Sequence, residues 1–226
     1  MRGETAIVLG TGYSLLKQMD EIRALKAARK VRLFGVNDTF KDFDLDVWIA
    51  CDEGWHEHRF KTAGPVKGDF DKWHWDGDIC RKGKYNYIQG CWSGGSMGAV
   101  NQWKTVRPGF GLSLNPSWIS LNHGSAPQAI NLAVLYGCDP ILLVGHDFHY
   151  DAPRRHYFET VSDVPGEYPA ELRKTSLFHK QGAGDDMEGV YARMAATPGI
   201  PRIINVTPGS KLRAFPQMTL AEALSV

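Results

Sequence analysis

Apolar residues along this chain fall into short continuous runs that end at glycine or at a polar residue. Between the runs lie segments with helical spacing. Residues 5–9 are the first run; it ends in Gly10-Thr11-Gly12-Tyr13-Ser14, after which Leu15, Leu16, Met19, Ile22 and Leu25 recur on one helical face. This pattern predicts strand, tight turn and helix. Residues 31–36 form a second run ending at Asn37-Asp38, and residues 47–51 a third ending at Asp52. Ser125-Ala-Pro-Gln opens a segment with Ala129, Ile130, Leu132, Ala133 and Leu135 in register and Gly137 beyond it. Ser125 as N-cap, Pro127 in the first turn and a glycine past the end are the punctuation of a helix. Residues 141–144, Ile-Leu-Leu-Val, read as a central parallel strand ending in Gly145-His-Asp-Phe148, and a last helix is expected over 186–196 before a strand over 203–206.

Strands alternating with helices imply right-handed crossovers, so the fold class expected is α/β: a Rossmann-like, doubly wound, mostly parallel sheet. One domain is expected over 1–226, interrupted at about 53–121 by an aromatic-rich insertion or lid. That segment shows no clear period and holds Trp55, Trp73, Trp75, Trp92, Trp103 and Trp118, six of the seven tryptophans, with a glycine cluster at Gly94-Gly-Ser-Met-Gly98. A tryptophan cluster suits stacking on sugars or bases, and it equally suits a small core.

Composition narrows the classes of function. At 226 residues and 43% hydrophobic the chain can bury a full core, and 26 Lys plus Arg against 25 Asp plus Glu leave no basic field for non-specific nucleic-acid binding. No apolar run approaches the length of a membrane span. Cys51, Cys80, Cys91 and Cys138 form no C-x-x-C pair and follow no secretory leader, which reads as reduced thiols in the cytoplasm.

In doubly wound sheets the ligand crevice lies beyond the carboxyl ends of the strands, so residues there are the candidates for chemistry. Gly10-x-Gly12 with Ser14 allows a close backbone approach to a phosphate at a helix start, or serves as a plain strand-to-helix turn; it lacks the third glycine of the dinucleotide fingerprint and the lysine of a P-loop. Asn37 and Asp52 end neighbouring runs, where each either contacts ligand or caps a turn. The segment 122–125, Asn-His-Gly-Ser, precedes the best-defined helix and would hold an anion with its amides and the Ser125 hydroxyl, unless Ser125 is only the cap. Asp147 ends the central strand, where a carboxylate caps a turn, binds a ribose or metal, or orients another side chain. His149, His156 and His179 follow in a polar stretch with Tyr150 and Tyr157 and offer candidate bases. In Trp55-His-Glu-His58 the two histidines have a spacing that serves a metal on a strand, with a solvated loop as the alternative. No G-x-S-x-G elbow marks a serine nucleophile.

The order of these motifs resembles the Rossmann-like bacterial lipooligosaccharide sialyltransferases and the related 6-hydroxymethylpterin pyrophosphokinase-like proteins. Residues 8–14 look like the family's opening G-N-G-P-S turn, with Thr11 where the family has asparagine, and Val36-Asn37 looks like its second-strand asparagine. Residues 124–137 followed by 141–148 look like its small-residue turn, helix and G-x-D-F strand end. His179-Lys, then Asp185 or Asp186, Asn205 and Pro208-Gly-Ser210-x-Leu212 look like its carboxyl-terminal part. The sialyltransferase likeness implies His179 as general base toward an acceptor hydroxyl, with Asn37, Ser125 and 205–210 lining the nucleotide site. It also implies Tyr150 and Tyr157 on the leaving phosphate, and no metal. The pyrophosphokinase likeness implies instead Mg²⁺ held by acids such as Asp52 and Asp147 beside a triphosphate.

The leading expectation is a glycosyltransferase using a nucleotide-sugar donor, with a glycan or a hydroxylated DNA base as acceptor. An ATP- and Mg²⁺-dependent pyrophosphokinase-like enzyme and a non-catalytic nucleotide-binding or structural module are the alternatives. The crevice is expected to gather residues 10–14, Asn37, Asp52, Ser125 and Asp147, with His179 near Asp147 and Tyr157.

Overall fold

The computed structural model of the chain describes residues 1–92, 95–96, 111–121, 124–149, 156–158 and 187–225. Strand β1 (Ala6–Leu9) leads through a 3₁₀ turn, Tyr13–Lys17, and α1 (Met19–Ala27) to β2 (Arg32–Val36); a second 3₁₀ turn, Asn37–Lys41, leads to β3 (Val47–Ile49). Then come α2 (Glu53–Thr62), β4 (Asp71–His74), α3 (Gly77–Gly83) and β5 (Asn86–Tyr87). Three short strands, β6 (Gln89–Trp92), β7 (Gly95–Ser96) and β8 (Trp118–Ser120), precede α4 (Ser125–Leu135) and β9 (Ile141–Val144). The described chain ends with α5 (Met187–Ala195), β10 (Ile203–Asn205) and α6 (Leu220–Ala223).

Seven strands pair in the order β10-β9-β1-β2-β3-β4-β5, every pair parallel. The central runs are apolar on both faces because each face is covered. Ile7, Leu9, Leu33, Trp48, Leu142 and Val144 point to one side, against Ile22 of α1, Trp55 of α2, Ile79 of α3 and Leu220 of α6. Their alternate neighbours Ala6, Val8, Phe34, Val36, Leu143 and Ile141 point to the other, against α4 and the Val190, Tyr191 and Met194 face of α5. This is the α/β, Rossmann-like doubly wound fold: helices on both faces of a parallel sheet, with β1 and β9 side by side where the chain reverses its direction of winding. Parallel pairing puts all seven carboxyl ends on one edge.

The second sheet, β7-β6-β8, joins this frame through the buried Ile119 and Leu121, which pack against α4, and through one buried polar side chain. Asn131, in the middle of α4, accepts from the backbone N–H of Ser113 and of Ser120 at 3.0 Å each and donates to the Ser113 carbonyl at 2.8 Å. Its side-chain oxygen and one of its two N–H donors thus hold β8 and the segment before it to the helix.

The expected start of an insertion at residue 53 is corrected. Residues 53–87 continue the winding and add β4 and β5 to the central sheet; the departure begins only at β6. The pattern hid them because polar residues occupy core positions. The buried residues of α2 are Trp55, His56 and Arg59, β4 buries fully only His74, and both residues of β5 are exposed. Trp48, Trp55 and Tyr85 pack around His56, and Trp73 donates to the Tyr136 hydroxyl at 3.0 Å, so these tryptophans are core rather than cap. Neither reading of His56 and His58 stands, since both lie on α2, and His56 is fully buried. No helix among the described residues is long and apolar enough to cross a membrane.

Candidate functional site

At the junction of β1 and β9 the backbones touch. Gly10 N–H donates to the Val144 carbonyl at 2.7 Å and Gly12 N–H to the Gly145 carbonyl at 2.9 Å. A Cβ on Gly10 would lie 2.3 Å from the Gly145 oxygen, and one on Gly12 would lie 2.5 Å from Asp147 Cγ. Glycine is required here because chain meets chain. The Asp147 carboxylate, buried, accepts from the Ser14 N–H at 2.9 Å and from the Ser14 hydroxyl, and so occupies the start of the 3₁₀ turn where a phosphate would sit. Of the two readings of residues 10–14, this geometry favours the plain strand-to-helix turn, since a phosphate there would be repelled by the Asp147 carboxylate.

Asn205 and Ser210 are likewise committed to the fold. Asn205 Nδ2 donates to Ser210 Oγ at 2.9 Å, its oxygen accepts from Thr207 N–H at 3.1 Å, and Ser210 Oγ donates to the His146 carbonyl at 2.6 Å. Lys211 N–H adds a bond to the Asp147 carbonyl at 2.8 Å. These buried bonds fasten the segment after β10 to the end of β9, which gives Asn205 and Ser210 a structural role. His146 is buried beside them with Nδ1 3.2 Å from the Tyr191 hydroxyl, and burial pulls its imidazole down to about 4, so it stays neutral.

Tyr157 points into the protein rather than into the crevice. It is fully buried, its N–H donates to the Thr11 carbonyl at 3.0 Å, and its hydroxyl donates to Asp42 Oδ2 at 2.9 Å. Burial and the Asp42 carboxylate push the phenol far above its ordinary range, so it remains a proton donor. The preceding residue is better placed for chemistry. His156 Nδ1 lies 3.0 Å from Thr11 Oγ1 at the carboxyl end of β1, and its ring stacks on Phe158. Tyr150, His179 and the acids at 185 and 186 lie outside the described residues, as do residues 122 and 123.

One strand further along the edge, the ends of β2 and β3 meet the start of α4. Here Gly124, at φ +93°, is the N-cap, and Ser125 is the first helical residue rather than the cap. Its hydroxyl turns outward from the helix to accept from Cys51 N–H at 3.0 Å and to donate to Asn37 Oδ1 at 2.9 Å. Asn37 can take part because it adopts a left-handed backbone, φ +46°, at the end of β2, a conformation asparagine tolerates. Gly124 offers no side-chain cap to α4, and the first turn holds no acid. Its leading amides and the positive end of its dipole therefore face the crevice. Asp52 is exposed on the β3 side and caps α2 by accepting from Trp55 N–H at 3.1 Å.

Backbone strain marks the same edge. Four non-glycine described residues have positive φ: Arg29, Asn37, Lys84 and Phe148. Arg29 and Lys84 close α1 and α3 in the usual left-handed manner. Asn37 and Phe148 have no such explanation and follow β2 and β9. A bulky residue such as Phe148 adopts this conformation at a cost of about 1–3 kcal/mol, the kind of strain that collects at functional sites.

The sequence-predicted residues thus share one edge but form separate groups: Ser14 with Asp147, Thr11 with His156, and Asn37 with Ser125. Asp52 follows β3 and Asp147 follows β9, three strand spacings or about 14 Å apart, too far for both to ligate one Mg²⁺ at about 2.1 Å. Both acids are also engaged as caps, so this pair does not fit that ion. Among the described residues no cluster of three or more His, Cys, Asp or Glu could hold a metal. Comparison of the chain with protein-family models, with curated proteins and with solved structures finds no match.

Proposed function

We propose that the chain is a glycosyltransferase that takes a nucleotide-sugar donor at the carboxyl edge of its sheet, with the donor phosphate at the start of α4. The carrying observation is the uncapped helix at Gly124, flanked by the Ser125 hydroxyl and the left-handed Asn37. A helix start without a side-chain cap at its N-cap residue favours a phosphate, and neutral donors such as the Ser125 and Ala126 N–H groups and the Asn37 side-chain amide suit a leaving nucleotide whose charge grows as the glycosidic bond breaks. In the transfer the acceptor oxygen attacks the anomeric carbon, the carbon–oxygen bond to phosphate breaks, and the acceptor proton passes to an imidazole. The family likeness assigns that imidazole to His179.

Thermal unfolding with CMP, UDP, ADP and ATP, each with and without Mg²⁺, tests this reading. One pyrimidine nucleotide at about 100 times its Kd should stabilise the native state by about 2.7 kcal/mol, which is about 5–10 °C in Tm for a chain of this size, and equally without Mg²⁺. Stabilisation by ATP only with Mg²⁺ would favour pyrophosphate transfer. Stabilisation by none of them removes the proposal.

A further inference from the structure

His56 and His74 form a buried pair in the β3–β4–β5 wing that the proposed transfer does not use. Both rings are fully buried, with centroids 4.8 Å apart and planes at 86°. Backbone partners fix the proton on each. His56 Nε2 lies 3.0 Å from the Ala50 carbonyl, which can only accept, so this nitrogen carries the hydrogen. His74 Nδ1 accepts from Asp76 N–H at 2.8 Å, so this nitrogen is bare and the hydrogen sits on Nε2. The remaining nitrogens, His56 Nδ1 and His74 Nε2, are buried without a hydrogen-bond partner.

A second proton on His74 has only Nδ1 to occupy, where it would face the Asp76 N–H and break that bond. The turn depends on it: Asp76 caps α3 through the N–H groups of Asp78 at 2.8 Å and Ile79 at 3.0 Å. A second proton on His56 would sit on Nδ1 among Trp55, Trp48, Phe60 and Tyr85 with nothing to receive it. The charged and titratable groups facing the pair are Asp52 and Arg59 of α2, Asp76 of the turn, Cys80 of α3 and Tyr85 before β5. The two acids favour a charged ring and Arg59 opposes one, but burial outweighs them. It lowers His56 and takes His74 to about 3.

We propose that the His56–His74 pair is an acid-sensitive latch whose protonation opens the β4–α3–β5 wing and frees the Ala50 end of β3. Ala50 immediately precedes Cys51, whose N–H holds the Ser125 hydroxyl at the start of α4, so opening would also loosen the edge that carries the candidate site. Both native values lie below the ordinary 6.5, so the opened wing binds more protons. The stability contributed by the pair is complete above about pH 6.5 and is lost as pH falls toward the native values. The inference concerns the unliganded chain and stands or falls separately from the nucleotide reading.

The test is native-state hydrogen exchange on the whole unliganded chain between pH 7.5 and 4.5, corrected for the intrinsic rate. Amides of Asp76, Asp78 and Ile79 should exchange through an opening of lower free energy than that of β1 and β9, and should lose protection by up to about tenfold per pH unit for each histidine that gains a proton on that opening. H74N keeps an acceptor oxygen near the Nδ1 position but cannot titrate, and should remove one of the two protons from the slope. Wing amides that exchange only with those of β1 and β9 across the whole pH range, or an unchanged slope in H74N, overturn the latch. Should H74N fail to fold, imidazole ¹⁵N spectra of the unsubstituted chain decide. Neutral rings with hydrogen on Nε2 at pH 5.5 are expected, and a charged native ring at either position at that pH overturns it.

Discussion

Asp147→Ala is expected to destabilise the fold by about 3 kcal/mol, seen as a drop of about 6–12 °C in Tm or a matching shift in urea midpoint. The carboxylate is buried and receives two charge-assisted bonds from Ser14, one from the N–H at 2.9 Å and one from the hydroxyl. Alanine leaves both donors facing a cavity, and the cost of a buried donor without an acceptor exceeds the net value of the bond it made. Asp147→Asn retains one acceptor oxygen and should lose only about half as much. The magnitude separates the structural reading from a metal-binding one. A carboxylate held for Mg²⁺ alone can be removed with little loss of stability, so a change below about 0.5 kcal/mol in Asp147→Ala would contradict the role assigned to it.

Gly10→Ala should cost at least about 3 kcal/mol through a different cause. The added methyl would lie 2.3 Å from the Gly145 carbonyl oxygen and 2.8 Å from its carbon, both backbone atoms. Neither strand can step aside cheaply, because Gly10 N–H is bonded to Val144 at 2.7 Å and the β1–β9 ladder is parallel and buried on both faces. Relief requires prising apart the two central strands, so unfolding at equilibrium in urea should show a lower midpoint with the slope unchanged. Gly64→Ala is the comparison: its Cβ would meet nothing within 4 Å, and only its left-handed backbone, φ +72°, is strained. A Gly10→Ala chain as stable as Gly64→Ala would show that the β1–β9 contact is looser than described.

The parts of the fold legible in the sequence were those where one physical effect dominates. Strands buried on both faces read as unbroken apolar runs, and β1, β2, β3, β9 and β10 were placed within two residues of their bounds. α4 was legible because Pro127 and Gly137 frame an apolar segment. The wing was not, since His56, Arg59 and His74 occupy core positions that hydrophobicity alone assigns to solvent. For the site, strand ends identified Asn37, Asp52 and Asp147, but their partners lie far away in sequence. Ser14 and Asp147 are 133 residues apart, Asn37 and Ser125 are 88 apart, and no local pattern encodes either pair. Asp147 reads in the sequence as a ligand residue, and the structure adds that its carboxylate closes the first turn on Ser14. Ser125 looked like a cap when its hydroxyl joins two strands. The Thr11–His156 contact and the strain at Phe148 carry no sequence signal beyond their position at strand ends.

The central claim is that the nucleotide phosphate lies at the start of α4, and amide chemical-shift mapping with the most stabilising nucleotide tests it most directly. The account predicts the largest shifts at the N–H groups of Gly124, Ser125 and Ala126, at Cys51 and at the Asn37 side-chain amide. Ser14 should move little, because its N–H is already bound to Asp147. Largest shifts at residues 10–14 with none at 124–126 would contradict it, and would return the phosphate to the turn after β1.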